Sequence, residues 1–436
     1  MKNDNTMYLT YGRPQAHGGP VTSTRHAPAD ITGAHEGYRV GEAGYRRISI
    51  ALFAAGVTTF ALLYSTQALL PDLARAFGVS ATQSTLSLSV TTVGLAVALL
   101  LAGPLSEVIG RTRLIHLSVS VSAVVALGCA VAPGWHVLLG LRLLLGVTLA
   151  GLPAVATAYL REELHPATHA RAAGLYIGGT ALGGMTGRLL AGGVAEALGW
   201  RWALAAIAVV GLACAVVVRL LLPASRNFRP AAASPAHLLA MTRHALTDRA
   251  LLALYAIGAC SMGAFVAVYN ALAFRLGSAP FDLGPGAAGL VFLVYPIGAI
   301  SSTVAGRWAD RFGRRSVVPV GCLITAAGIG LTLPPSLPVV VLGLAVMTAG
   351  FFVVHGVASG WVPGRAHAGG VAGGQAASLY LFAYYLGSSV FGSLAARAWT
   401  VAAWPAVTAL SLALVAVTGL LAAGLRRMPS LDPLRR

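Results

Sequence analysis

One charged turn occurs twice in this 436-residue chain, and each copy joins two long apolar runs. The first reads Gly103-Pro-Leu-Ser-Glu-Val-Ile-Gly-Arg-Thr-Arg113, the second Gly306-Arg-Trp-Ala-Asp-Arg-Phe-Gly-Arg-Arg315. Each opens on a glycine, carries a carboxylate four residues later (Glu107, Asp310) and then a Gly-Arg pair (Gly110-Arg111, Gly313-Arg314). A turn repeated at matching places implies a duplicated fold, one half repeating the topology of the other.

Composition says what solvent that fold meets. Hydrophobic residues make up 57% of the chain and charged residues only 10%, against about 25% charged in a soluble domain. Such a chain cannot hydrate its own surface, so lipid must cover most of it. The net charge of +17 comes from 30 Lys+Arg against 13 Asp+Glu. The arginines fall in alternate loops rather than in one patch, which argues against a nucleic-acid partner. Cys129, Cys214, Cys260 and Cys322 each lie alone in an apolar run, which fits neither a disulfide framework nor a metal site.

A spanning helix needs ~20 apolar residues. Twelve stretches qualify: 47–70, 83–106, 114–132, 136–158, 171–193, 201–222, 250–274, 286–307, 316–333, 338–361, 374–396 and 403–425. The longest interior break, 223–249, divides them six and six. The expected fold is therefore an all-α membrane protein with two six-helix bundles around a central cavity. Its parts are a disordered tail 1–45, a bundle 46–222, a linker 223–249, a bundle 250–426 and a tail 427–436. Met7 is a second candidate start inside the first tail. With the N-terminus in the cytoplasm, the outer loops hold only Arg75, Arg201, Arg275 and Arg397. That bias assigns both termini and the linker to the cytoplasm of an inner membrane.

Small residues mark close helix contacts in lipid. Gly179, Gly183 and Gly187 recur at helical spacing on the fifth span, and Gly298, Ser302 and Gly306 on the eighth. The two stripes are expected to meet across the bundle interface and slide there. The charged turns are expected to act as latches. Gly103 would end a helix, and the following carboxylate would accept hydrogen bonds from a helix N-terminus in the opposite bundle. Arg111 and Arg113 would pair with it or with anionic lipid. The plainer alternative is a positive-inside anchor, which does not need the carboxylate.

The paired turns resemble the loop motif of the major facilitator superfamily, in the same two places. The second copy matches through Gly306, Asp310, Arg311, Gly313, Arg314 and Arg315. The first departs at Glu107, where the family carries Asp, and at Val108, where it prefers a base. The second copy is therefore expected to be the firmer latch. Leu70-Pro-Asp-Leu-Ala-Arg-Ala-Phe-Gly78 and Leu138-x-x-x-Arg142-x-x-x-Gly146 resemble motifs of the family's drug- and sugar-efflux branch. In that branch the arginine is linked to proton coupling. The fifth span has the glycines of the antiporter motif without its Gly-Pro pair. Tyr159-Leu-x-Glu-Glu163, Gly183-Gly-Met-x-Gly-Arg188 and Gln375 to Ser389 resemble the bacterial acriflavine-sensitivity, or arabinose-efflux-like, permeases.

Ionisable groups inside a bilayer are costly and point to function. Arg142 lies about 10 Å inside the fourth span, and Arg188 lies in the outer part of the fifth. Arg219 sits near a helix end, where it can snorkel. No Asp or Glu falls in the middle of any span, and Asp72, at the exit of the first, is the nearest outer carboxylate. Asp72, Arg142 and Arg188 are expected to form a charge cluster that opens and closes with protonation. The plainer alternative leaves Asp72 facing water. The resemblance puts spans one, four, seven and ten around the cavity. Gln67, Tyr176, Tyr269, Asn270, His355, Tyr380 and Tyr384 are then the substrate-contact candidates.

The expected function is export of a small amphipathic compound or sugar by alternating access, driven by proton antiport. The alternative is uptake by the same fold. The proton is the expected coupling ion, with no other cofactor, and the expected partners are a small molecule and the bilayer around a monomer. A polytopic enzyme is not expected, because the histidines are scattered and mid-span carboxylates are missing. No phosphate-cradling loop suggests ATP drive.

Overall fold

The computed structural model describes residues 37–228 and 235–428, and they are almost entirely helical. Ten stretches are long and apolar enough to cross a membrane. In order, spans one to four are Ala43–Phe77, Ala81–Ile109, Arg111–Ala130 and Trp135–Glu163. Span six is Trp200–Leu221, seven Arg249–Leu276, eight Pro285–Phe312, nine Arg314–Leu331 and ten Leu337–Ala368. Gly373–Arg427 is too long for one crossing and breaks at Ala402 and Ala403, giving spans eleven and twelve. His169–Leu198 is span five, a 30-residue helix whose glycines and Arg188 dilute its apolar content. Among the described residues the spans thus number twelve.

Local chemistry sets the helix ends. Ser80 accepts from Gln83 N, and the Gln83 side chain accepts from Ser80 N, a reciprocal box that starts span two. Gly110 alone separates spans two and three, at φ 91° and ψ 148°. Gly313 alone separates spans eight and nine, at φ 83° and ψ 143°. Only glycine enters that region without strain. The repeated motif therefore encodes two one-residue helix turns. Gly103, expected to end a helix, lies inside span two, and a Cβ there or at Gly306 would meet nothing within 4 Å.

The glycine stripes pack within bundles, not between them. A Cβ at Gly179 would lie 2.4 Å from Phe53 O, one at Gly183 2.2 Å from Val57 O, and one at Gly187 2.7 Å from Ala61 Cα, all on span one. On span eight a Cβ at Gly298 would strike Phe352 of span ten, and Ser302 faces Gly356 there. The sliding interface expected from the stripes is thus absent. The reason is steric: bare backbone suits the permanent close approach of neighbouring helices. The second half repeats the arrangement, since a Cβ at Gly387 would lie 2.2 Å from Ala259 O.

One end of the molecule carries the start of span one, the linker and the end of span twelve; it is called the linker end, and the opposite end the far end. At the linker end the turn after span four gathers the chain. Tyr38 N donates to Glu163 O, and His165 N donates to Tyr38 O. The buried Glu163 carboxylate accepts from Arg226 N and Asn227 N at 2.7 and 3.0 Å. Of the tail expected to be disordered, 1–45, residues 37–42 are thus anchored there and 43–45 already belong to span one, while 1–36, and 429–436 of the other tail, lie outside the described residues. Asp248 caps span seven by accepting from Ala250 N and Leu251 N, and it pairs with Arg365 at 2.8 Å.

Candidate functional site

The two bundles meet at the far end through a chain of polar side chains. Arg188 of span five donates from Nε to Gln67 Oε1 at 2.5 Å. Gln67, on span one, donates from Nε2 to Asn270 Oδ1 of span seven at 2.7 Å. All three side chains are buried. Two further contacts close this end: Glu196 accepts from Gly286 N at 2.7 Å, and Gly192 abuts Pro285. Towards mid-span, Ser89 and Thr92 of span two bond Ser389 and Ser393 of span eleven. Between described residues, no hydrogen bond or ion pair joins the bundles at the linker end.

Arg142 has a different use. Span one is interrupted at Ser65 and Thr66, so the last carbonyls of its first segment lack helical donors. Arg142 reaches them from span four. Its Nη1 donates to Leu62 O and Ser65 Oγ, its Nη2 to Leu63 O and Thr66 Oγ1, and its Nε to Ser87 O of span two. A guanidinium has five N–H donors, and five acceptors surround this one. Arg142 is a buried cap that fixes the break in span one.

Asp72 joins neither buried arginine. It forms an ion pair with Arg75, one turn along its own helix, while its Oδ2 is buried without a hydrogen-bond partner. The expected cluster of Asp72, Arg142 and Arg188 is thus not assembled in this conformation. An i,i+3 neighbour is the nearest available cation, whereas the other two guanidinium groups are already held by neutral oxygens.

Below the relay lies a cluster of aromatic side chains, called here the aromatic cleft because it lies between the two bundles. The Arg188 guanidinium packs over the rings of Tyr64, Tyr295 and Phe292 at 4.2, 4.7 and 4.9 Å. Tyr269 stacks on Phe292 and bonds Thr348 through its hydroxyl at 2.9 Å. His355 Nδ1 lies 3.0 Å from Tyr380 OH, and its ring lies 4.7 Å from that of Tyr384. Tyr384, half-buried, lies near enough to Tyr64 and Tyr295 for electrostatic interaction. Gln67, Tyr269, Asn270, His355, Tyr380 and Tyr384 therefore gather around one region spanning both bundles. Tyr176 is buried as well, its backbone against Gly56 of span one and its side chain near enough to Tyr385 of span eleven for electrostatic interaction.

The repeated turns differ sharply. In the first, Arg111 bonds Glu107 at 2.6 Å and Glu162 of span four at 3.0 Å. The latch thus closes within its own bundle, not onto the opposite one, and Arg113 is exposed. In the second, Asp310 is exposed and has no ion-pair partner among the described residues, and Arg311 and Arg314 are exposed as well. Arg315 donates to Arg426 O and Met428 O at the end of span twelve. The asymmetry runs opposite to the expectation of a firmer second latch. The 203-residue offset that relates Gly110 to Gly313 also relates Glu162 to Arg365. Where the first turn gains a second carboxylate, the second meets a cation, and that cation is held by Asp248.

Sequence reasoning missed Glu162, Glu196, Tyr64, Phe292 and Tyr295. The change of sign between Glu162 and Arg365 at the repeat offset was a usable signal for the first. Tyr64 lies one turn before Gln67, on the same side of span one. For Glu196, Phe292 and Tyr295 no local pattern stands out.

Residues 49–301 match the family described as Major Facilitator Superfamily. The chain is 41% identical to the uncharacterized MFS-type transporter YybF of Bacillus subtilis (strain 168) over 367 residues, 84% of this chain and 90% of the relative. It is 39% identical to the inner membrane transport protein YnfM of Escherichia coli (strain K12) over 381 residues, 87% of this chain and 90% of the relative. Among solved structures, a bacterial homolog of the human lysosomal transporter Spinster, inward-facing and unoccupied, superposes with a TM-score of 0.66 at 16% identity, covering 88% of this chain and 96% of that one. The nucleoside transporter NupG superposes with a TM-score of 0.68 at 14% identity, covering 88% of this chain and all of the other. Duplicated bundles, paired glycine turns and polar side chains bonded between the halves agree with these matches: the chain belongs to the Major Facilitator Superfamily and is a multi-pass membrane transporter.

Proposed function

We propose that the protein exports a small amphipathic compound from the cytoplasm by alternating access and proton antiport. The linker end is taken to face the cytoplasm of an inner membrane, because the loop arginines concentrate there. The observation that carries the reading is the one-sided seal. The far end is held by Arg188, Gln67 and Asn270 and by Glu196 on Gly286, whereas no polar contact between described residues joins the bundles at the linker end. A seal at the far end is what a transporter that loads from the cytoplasm would carry, and this supports the reading.

Asp72 is the proposed proton carrier. One of its carboxylate oxygens pairs with Arg75 and the other is buried without a donor, so a site for a proton is left at the second oxygen. Its helix packs on span seven across the interface, so a change of charge there bears on the far seal. Arg142 acts by holding the break in span one beside it. The proposed exporter works as a monomer with no resident cofactor. The test is substrate uptake into inverted vesicles loaded with a pH-sensitive dye, in which export from the cytoplasmic face appears as movement into the lumen. Addition of substrate should release protons from the lumen, and Asp72→Asn should abolish that signal. A signal unchanged in Asp72→Asn, or uptake indifferent to a protonophore, rejects the antiport reading.

A further inference from the structure

We propose that the aromatic cleft takes an organic anion with an aromatic body, and that Arg188 receives its charge. The proposal rests on the transport reading above and names the substrate class of the same cleft.

The two most deeply buried arginines, Arg142 and Arg188, set up the argument by contrast. Each is 1% exposed. Arg142 is surrounded by three backbone carbonyls and two hydroxyls, so its donors are consumed by the fold. For Arg188 the hydrogen-bonding partners are Gln67 Oε1, Gly184 O and the Tyr295 hydroxyl, all neutral. Three rings cover the guanidinium, and no carboxylate pairs with it among the described residues. A buried cation without a counter-charge is expensive. A ligand anion would offset that cost in a way that neither a sugar nor a cation can.

Distribution of charge supports the same sign. The described carboxylates Glu42, Asp72, Glu107, Glu162, Glu163, Glu196, Asp248, Asp282 and Asp310 all sit at helix ends or turns. The mid-span interior therefore holds the two guanidinium charges and no formal negative charge. The ligand's body follows from the walls. Tyr384, Tyr380 and His355 present flat faces and polar edges, which suits a ring that stacks while its charged group reaches Arg188. The seal explains how binding could matter to transport. An anion at Arg188 competes for the guanidinium that holds Gln67 on Asn270, so loading would loosen the far end.

The test uses the purified full-length protein in detergent and three probes of similar shape: 2-naphthoate, the neutral 2-naphthamide and the cationic 2-naphthylmethylammonium. Calorimetric titration should find naphthoate bound at least about tenfold more tightly than either of the others. Arg188→Gln should remove the preference for naphthoate over naphthamide, and Arg188→Lys should retain part of it. Equal binding of the three probes, tighter binding of the ammonium, or no binding of any overturns the proposal. So does a naphthoate preference that survives Arg188→Gln. The ranking in the wild-type protein stands without any variant, so misfolding of Arg188→Gln does not remove the test. Binding in detergent needs neither a gradient nor a direction. Naphthoate binding with no proton-linked efflux would therefore count against the export reading alone.

Discussion

Gln67 of span one donates a 2.7 Å hydrogen bond to Asn270 of span seven, and this buried contact helps tie one bundle to the other at the far end. Because Gln67 also accepts from Arg188, the far seal and the cleft share a side chain. Any motion that separates the bundles there must break the bond.

Asn270→Ala removes the cross-bundle partner and leaves the Arg188–Gln67 bond in place. A buried hydrogen bond contributes about 0.5–1.5 kcal/mol, so the far-open population should rise roughly 2- to 10-fold. Spin labels at Leu198 and Ser278, both exposed at the far end, would report it as a longer distance component. An unchanged distance distribution would exclude the relay as a gate.

Glu107→Gln should destabilise the protein more than Asp310→Asn. Glu107 shares Arg111 with Glu162 in a partly buried triad, and a hydrogen bond to a charged group contributes about 1.5–3 kcal/mol. Asp310 is exposed and unpaired among the described residues, so its loss should stay within about 0.5 kcal/mol. Thermal unfolding of the two variants side by side measures the difference. Equal losses would show that the triad contributes little.

Much of this fold was legible because its signals are periodic or repeated. Twelve apolar runs and a one-residue glycine turn recurring 203 residues apart are properties of the string itself. The site was only half legible. Buried polar residues such as Gln67, Asn270 and His355 stood out by cost alone, since a polar group in lipid needs a reason. Their partners did not. Arg188 and Gln67 lie 121 residues apart and Gln67 and Asn270 lie 203 apart, and nothing local selects those pairs. Asp72 shows the opposite failure: a distant arginine was the more attractive partner in function, yet the local Arg75 has it. The glycine stripes failed because spacing reveals a close approach without revealing to which helix.

Arg142→Lys should be poorly tolerated although it keeps the charge. A lysine has three donors on a single atom and cannot match the planar fork that reaches Leu62, Leu63 and Ser87 together. Each buried carbonyl left without a donor costs about 1–3 kcal/mol. The fluorescent-tagged variant should melt well below wild type in size-exclusion profiles. Wild-type melting with lost transport would instead assign Arg142 a direct role in the transport cycle.

Asp248 predicts acid sensitivity at the linker end. Burial alone would raise its pKa, but the Arg365 hydrogen bonds, the donors Leu251 N and Ala250 N and the Arg365 charge together hold it below the usual carboxylate value. A folded-state pKa below the unfolded one means the unfolded chain binds the proton more readily. The stabilisation is therefore complete above the unfolded pKa, near pH 4, and is lost as pH falls through the lower folded value. Melting temperature followed from pH 6 to pH 3 should fall more steeply in wild type than in Asp248→Asn, which should start lower at pH 6. Parallel curves would remove Asp248 from the acid response.

Gly183→Ala tests whether the stripe on span five is a permanent contact. Its new Cβ would lie 2.2 Å from Val57 O, and a backbone oxygen cannot swing aside as a flexible side chain does. Spans one and five must separate, loosening the helix that carries Gln67 from the one that carries Arg188. Gly178→Ala, on the same helix with nothing within 4 Å of the added atom, is the control and should be neutral or stabilising by up to about 1 kcal/mol, since alanine favours a helix over glycine. The expected result is a lower melting temperature and lost transport for Gly183→Ala, with both retained in Gly178→Ala. If Gly183→Ala transports normally, spans one and five tolerate a wider spacing, and the Arg188–Gln67 bond does not depend on their close approach.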